Sequence, residues 1–112
     1  MNIHDLAHQL AKAIKDSEEY RQYMEAKEEV GQNEEVTKMV NDFQEKQFDL
    51  QRKQMMGEEL GSDVMGQVQS LYQILMSNPL AAKYIQAEMR FSLMVNDVYN
   101  ILGEVIKTDD KN

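Results

Sequence analysis

The chain has no cysteine and no tryptophan, and only one proline and five glycines in 112 residues. Without thiols there can be no disulfide scaffold, thiolate-held zinc or iron–sulfur ligation. Scarce proline and glycine leave few interruptions, which suits long helices. No apolar run reaches the ~20 residues that a membrane-spanning helix needs. Nothing near Met1 has the charged-then-apolar pattern of an export leader. The expectation is a cytoplasmic protein with one helical domain over residues 1–107 and a frayed tail over 108–112. Positive charge is also short, with 12 basic residues against 20 acidic ones and a net charge of −8. Phosphate backbones and anionic headgroups repel such a surface, so neither direct nucleic-acid binding nor membrane binding is expected. Methionine, by contrast, is plentiful at nine residues. Its flexible thioether fills cores and also recurs on surfaces that accept varied partners. Met55 and Met56, next to a loop, are the pair most suited to the second use.

Apolar residues recurring at steps of three and four divide the chain into five helices. The first covers Ile3 to Lys15, with Asn2 as N-cap and Ile3, Leu6, Ala7, Leu10 and Ile14 on one stripe. Ser17 caps a second helix from Glu18 to about Val30, where Glu18 and Glu19 complement the N-terminal dipole. Its inner face, Tyr20, Met24, Lys27 and Val30, is weak, and Gly31 reads as the residue past its end. The third starts after Asn33 and reaches Met55 or Met56. Its seam alternates oddly: Val36, Val40, Phe43, Gln47, Leu50, Gln54. Its outer face pairs Glu34 with Lys38, Asp42 with Lys46 and Asp49 with Lys53, one turn apart. Gly57 to Gly61 form a loop, and Ser62 caps a fourth helix with the stripe Val64, Val68, Leu71 and Leu75, supported by Met65, Tyr72 and Met76. Asn78 and Pro79 then open a fifth helix, proline taking the first position, where its missing amide costs nothing. That helix runs to about Ile106 on an unbroken seam of Leu80, Tyr84, Ala87, Phe91, Met94, Val98, Ile101 and Val105.

The fold class is therefore all-α, with two long helices over about 34–56 and 79–106 packed antiparallel in a bundle. At 1.5 Å per residue the fifth helix is ~42 Å long. A compact chain of this size is roughly 34 Å across. The seam stays apolar to its tip, so a second copy is expected to cover the overhang, and a two-fold dimer is the commonest arrangement. The candidate dimer or partner surface comprises Val36, Val40, Phe43, Gln47, Phe48, Leu50, Gln54, Met55 and Met56 of the third helix, with Phe91, Met94, Val98, Ile101 and Val105 of the fifth. Two readings of Gln47 and Gln54 stand side by side. Either they hydrogen-bond across an interface and penalise shifted registers, or the seam ends early and they mark a wet margin.

Chemistry-bearing patterns are few. His4 and His8 lie one turn apart with Asp5 between them, a spacing that lets two imidazoles share a metal. No third ligand is signalled, and both histidines flank the apolar stripe on its polar side, so they read as surface residues. The acid pairs Glu18-Glu19, Glu28-Glu29, Glu34-Glu35, Glu58-Glu59 and Asp109-Asp110 are adjacent in sequence. Neighbours on a helix point ~100° apart and cannot act as a paired acid and base. Lys46, Arg52 and Lys53 are interleaved with acids and fall short of a nucleic-acid groove. No catalytic, cofactor-binding or metal-binding residue is assigned, and no cofactor is expected.

Four stretches together carry a resemblance: "DSEEYRQYMEAKEEV", "LQRKQMMGEEL", "SNPLAAKYIQAEMRF" and "LMVNDVYNIL". In order and spacing they resemble the YlbF/YmcA/YheA family of small helical proteins from Gram-positive bacteria, the YheA branch most of all, over residues 3 to 106. The resemblance implies an all-helical fold and a dimer. YlbF- and YmcA-like members are implicated, within a larger complex, in competence, sporulation and biofilm control, a role linked to RNA processing by ribonuclease Y. Those members use cysteines for iron–sulfur clusters, and this chain has none, so that property does not carry over. The functional expectation is a non-catalytic cytoplasmic adaptor or regulatory protein that pairs with itself and with another protein. An RNA-processing accessory factor associated with a nuclease is the alternative. A metal-dependent enzyme using His4, Asp5 and His8 is a distant third.

Overall fold

The computed structural model describes residues 2–59 and 61–107. They form α1 (Ile3–Lys15), α2 (Glu18–Gly31), α3 (Glu34–Met55), α4 (Ser62–Ser77) and α5 (Pro79–Ile106). The tail expected to fray, and the Asp109-Asp110 pair within it, lie outside the described residues.

Four short polar side chains decide where helices start. Asn2 Oδ1 accepts from the backbone N–H groups of His4 and Asp5 at 2.7 and 3.3 Å. Ser17 Oγ accepts from Tyr20 N–H at 3.1 Å and donates back to the Ile14 carbonyl at 2.6 Å, so one hydroxyl closes α1 and opens α2. Asn33 Oδ1 accepts from Val36 N–H at 3.1 Å. Asn78 Oδ1 accepts from Leu80 and Ala81 at 3.0 and 3.1 Å, ahead of Pro79. Each satisfies first-turn donors that the helix itself leaves unpaired.

Two boundaries differ from the sequence reading. Gly31 is the last residue of α2, not the residue past it. A left-handed cap is unnecessary there, because Thr37 Oγ1 donates to the Val30 carbonyl at 2.7 Å and Asn33 N–H reaches the same carbonyl at 3.0 Å. At α4 the cap position is Gly61, not Ser62. Its carbonyl accepts from Val64 and Met65 at 3.1 and 3.4 Å, and Ser62 is already helical. The left-handed glycine is instead Gly57, at φ 76°. It ends α3 in a Schellman turn, with Gly57 N–H on the Gln54 carbonyl at 3.1 Å and Glu58 N–H on the Lys53 carbonyl at 3.0 Å.

The chain divides into two compact units. One comprises Lys27–Tyr84 and is built on the antiparallel α3–α4 hairpin. Val36, Val40, Phe43 and Leu75 are buried there, and the Phe43 and Tyr72 rings meet at 5.9 Å. Lys83 joins Glu29 at 3.0 Å on the surface of the same unit. The other unit comprises Met1–Ala26 with Ile85–Asn112. Its aromatic cluster places Phe91 against Tyr23, stacked at 5.3 Å, and against Tyr20, edge-on at 5.6 Å. Such pairs contribute about 0.5–1.5 kcal/mol each beyond their buried area. Arg90 reaches Gln22 at 3.3 Å nearby. The apolar stripe expected along α1 is present, yet no residue of that helix is buried.

Candidate protein-protein interface

Burial along α3 is graded. Its first half carries β-branched and aromatic residues on the inner face, and Val36, Val40 and Phe43 are 3–5 % exposed. One turn on, the seam position is Gln47, which is exposed. Leu50 is half-buried, and Gln54 is exposed again. A carboxamide loses hydration when buried without partners. The hairpin core therefore thins where the glutamines start, and α3 and α4 leave a groove between them toward the loop.

That groove has a volume of about 350 Å³ and is lined by Phe43, Gln47 and Leu50 from α3 and by Met65, Val68, Gln69 and Tyr72 from α4. Two of its lining rings, Phe43 and Tyr72, meet at 5.9 Å. No carboxylate, imidazole or amine lines it. It offers apolar surface, a phenol hydroxyl and two carboxamides, so it can bind but holds no evident acid–base machinery. A second, more open depression on the hairpin is lined by Lys46, Asp63, Gly66, Gln67, Ser70 and Leu71, so charged side chains there stand beside apolar ones. Beyond the groove, Phe48, Met55 and Met56 stand 66 %, 87 % and 71 % exposed. Phe48 and Met55 lie two turns apart on a lateral stripe of α3, away from the groove face, and exposed apolar stripes of this kind mark surfaces that can take a partner.

The residues singled out from the sequence thus fall into three groups. Val36, Val40 and Phe43 are covered by their own chain. Gln47, Phe48, Leu50, Gln54, Met55 and Met56 form the accessible end of α3. Phe91, Met94, Val98, Ile101 and Val105 belong to the other unit, where Phe91 takes part in the tyrosine cluster and Ile101 and Val105 are exposed. The α4 wall of the groove was missed. Met65 and Tyr72, two turns apart beside the α4 stripe, were its signal, and they read from sequence only as added core.

His4 and His8 lie on exposed α1. Among the described residues no three histidine, aspartate or glutamate side chains converge as a metal site would need. Surface ion pairs shift the titration of their members. The Arg21 guanidinium hydrogen-bonded to Glu18 holds that carboxyl below its usual range. The Asp16 carboxylate, bonded to Lys12 at 2.9 Å, raises that ammonium. On α3 itself, Asp49 pairs with Arg52 at 3.3 Å.

Comparison with known proteins gives a consistent result. The family profile described as "Control of competence regulator ComK, YlbF/YmcA" matches residues 3–107. A UPF0342 protein of Desulfitobacterium hafniense is 42 % identical over 106 residues, covering 95 % of this chain and 86 % of that one. A UPF0342 protein of Caldicellulosiruptor bescii is 36 % identical over 110 residues, covering 98 % and 92 %. Among solved structures, a DUF964 protein of unknown function from Bacillus stearothermophilus superposes with a TM-score of 0.81 at 27 % identity, covering 98 % of this chain and 96 % of that one. Bacillus subtilis RicA, solved in complex with RicF, shares the fold with a TM-score of 0.59 at 19 % identity, covering 97 % and 96 %. No helix among the described residues is long and apolar enough to cross a membrane.

Proposed function

Because the chain belongs to the YlbF/YmcA family of competence-regulator control proteins, we propose that it is a non-catalytic adaptor or regulatory protein. It pairs with itself and holds a second protein at the open end of the α3–α4 hairpin. The groove between Phe43, Leu50, Met65 and Tyr72 carries this reading, together with the exposed Phe48, Met55 and Met56 toward the same end of α3. A helix laid along such a groove would bury apolar anchors between α3 and α4. Gln47 and Gln69 at the rim would select its register through hydrogen bonds. Methionine suits the task, since an unbranched thioether repacks around differently shaped anchors. RicA, which shares the fold, associates with another protein, so this architecture is compatible with such an assembly. Self-pairing is supported by the far end of α5, where Ile101 and Val105 continue the apolar seam into solvent.

The test is affinity purification from the native host with a tagged chain and a Phe48→Asp, Met55→Ser, Met56→Ser variant. The expected outcome is a protein retained by the parent and lost with the variant, while both keep the same helical circular dichroism. Retention of the same protein by both would reject the hairpin as the binding end. Sedimentation of the pure chain over a concentration series tests self-pairing separately.

A further inference from the structure

With cysteine absent, methionine is the one side chain in this protein that takes up and returns an oxygen atom readily. The methionines differ sharply in their access to solvent. Among the described residues none is fully buried, and the hairpin core is made of Val36, Val40, Phe43 and Leu75 instead. Met39, Met76 and Met94 are half-buried. Met55 and Met56 are the most exposed, at 87 % and 71 %, ahead of Met65, Met89 and Met24 at 54 %, 53 % and 40 %. The two most accessible sulfurs are thus adjacent, at the open end of the hairpin.

Neither thioether of that pair holds the fold together. Main-chain bonds close α3: Met56 N–H donates to the Arg52 carbonyl at 3.1 Å, Gly57 N–H to Gln54 at 3.1 Å and Glu58 N–H to Lys53 at 3.0 Å. An oxygen added to either sulfur therefore leaves the helix end and the core as they are. What changes is the surface. A flexible apolar group becomes a polar, chiral sulfoxide. Burying its oxygen against an apolar anchor strips hydration without returning a hydrogen bond.

The oxidation needs no catalytic side chain. A sulfur lone pair attacks the hydroxyl oxygen of a hydroperoxide. The S–O bond forms as the O–O bond breaks, and the hydroxyl proton passes to the departing oxygen, which leaves as water or an alcohol. Sulfur loses two electrons and the peroxide gains them.

We propose that Met55 and Met56 are a modification site for hydroperoxides, and that their sulfoxides release the protein held at the open end of the hairpin. The release rests on the adaptor reading above, whereas the modification site does not. A methionine sulfoxide reductase reverses the change.

The test exposes the full chain to hydrogen peroxide, removes the peroxide with catalase and follows each methionine by peptide mass spectrometry. Met55 and Met56 should oxidise about tenfold faster than Met39, Met76 and Met94, with helical circular dichroism unchanged. Used as bait in the affinity purification above, the chain oxidised at the pair should retain about tenfold less of the protein that the untreated chain holds. Methionine sulfoxide reductases of both stereospecificities should restore retention. A Met55→Leu, Met56→Leu variant keeps the apolar surface without the sulfurs and should hold that protein equally before and after peroxide. Equal oxidation of the half-buried methionines, or lost helicity when only the pair is oxidised, would overturn the site. Undiminished retention by the oxidised chain would overturn the release and leave the adaptor reading intact. Peroxide-induced release from the leucine variant would do the same, since the sensitive sulfur would then lie elsewhere. An untreated chain that retains nothing would overturn the adaptor reading and the release together, while the order of methionine oxidation would still decide the site.

Discussion

Two phenylalanines on one helix provide a direct test of the burial gradient. Phe43 is 5 % exposed and meets the Tyr72 ring at a tilt, whereas Phe48, five residues on, is 66 % exposed. Truncating Phe43 to alanine removes a buried ring and leaves a cavity at the hairpin centre, at a cost of about 3–5 kcal/mol. Total stability for a domain of this size is about 5–15 kcal/mol, so the loss is a large fraction of the whole. Phe48 has only a third of its surface to lose. Its truncation should cost less than about 1 kcal/mol, on a scale of ~1.5–3 kcal/mol for complete burial. With a urea slope of roughly 1.5 kcal/mol per molar, Phe43→Ala lowers the midpoint by about 2–3 M and Phe48→Ala by less than about 0.7 M. Both variants are compared at one protein concentration, because self-association makes the midpoint concentration-dependent. The functional prediction has the opposite order, since Phe48→Ala should lose the captured partner while keeping the fold. Equal midpoint shifts would refute the gradient, and with it the argument that the hairpin opens where the glutamines start.

Three further outcomes follow from local geometry. Asn78→Ala removes an acceptor from two first-turn amides of α5 and should destabilise by about 0.5–2 kcal/mol, measured by thermal or urea unfolding. Gly57→Ala meets no neighbour within 4 Å but must hold φ 76°, so a cost of about 1–2 kcal/mol should arise from backbone conformation alone. Glu18 is bonded to Arg21, which lowers its carboxyl in the folded chain. Its contribution is therefore complete above the ordinary carboxylate value of 4.5 and disappears as pH falls through the lowered one. A Glu18→Gln variant should show a slightly flatter acid limb in thermal midpoints at low salt, and the difference should vanish in high salt because the pair lies on the surface.

The element pattern was legible because four of the five helices carry their own start signal. Asn2, Ser17, Asn33 and the Asn78-Pro79 pair act on neighbours within three residues, and local chemistry of that kind can be read in one dimension. The stripes of α3 and α5 were legible for a similar reason, since 3.6-residue periodicity needs no knowledge of the partner. The boundary error at Gly31 arose where another partner took the helix end, since the Val30 carbonyl takes Thr37, seven residues away; at Ser62 the helix starts one residue earlier, on the Gly61 carbonyl, with no side-chain cap. The site was harder to see. Val36, Val40 and Phe43 occupy the same stripe as Gln47 and Gln54, and periodicity does not say which of them a neighbouring helix covers. The α4 wall of the groove depends on the pairing of Phe43 with Tyr72, a relation across 29 residues that no local pattern encodes.

By itself the amino-acid order determined an all-helical chain, its five segments, its acidic surface and the absence of thiol chemistry, because propensity, capping and charge are properties of near neighbours. Tertiary structure alone decided that the α3–α4 contact tightens around Leu75 and loosens past Phe43, and that α1 and the end of α5 keep their apolar faces in water. The physical reason is that an amphipathic stripe specifies a need for cover, while the source of that cover is set by which helices approach one another in space.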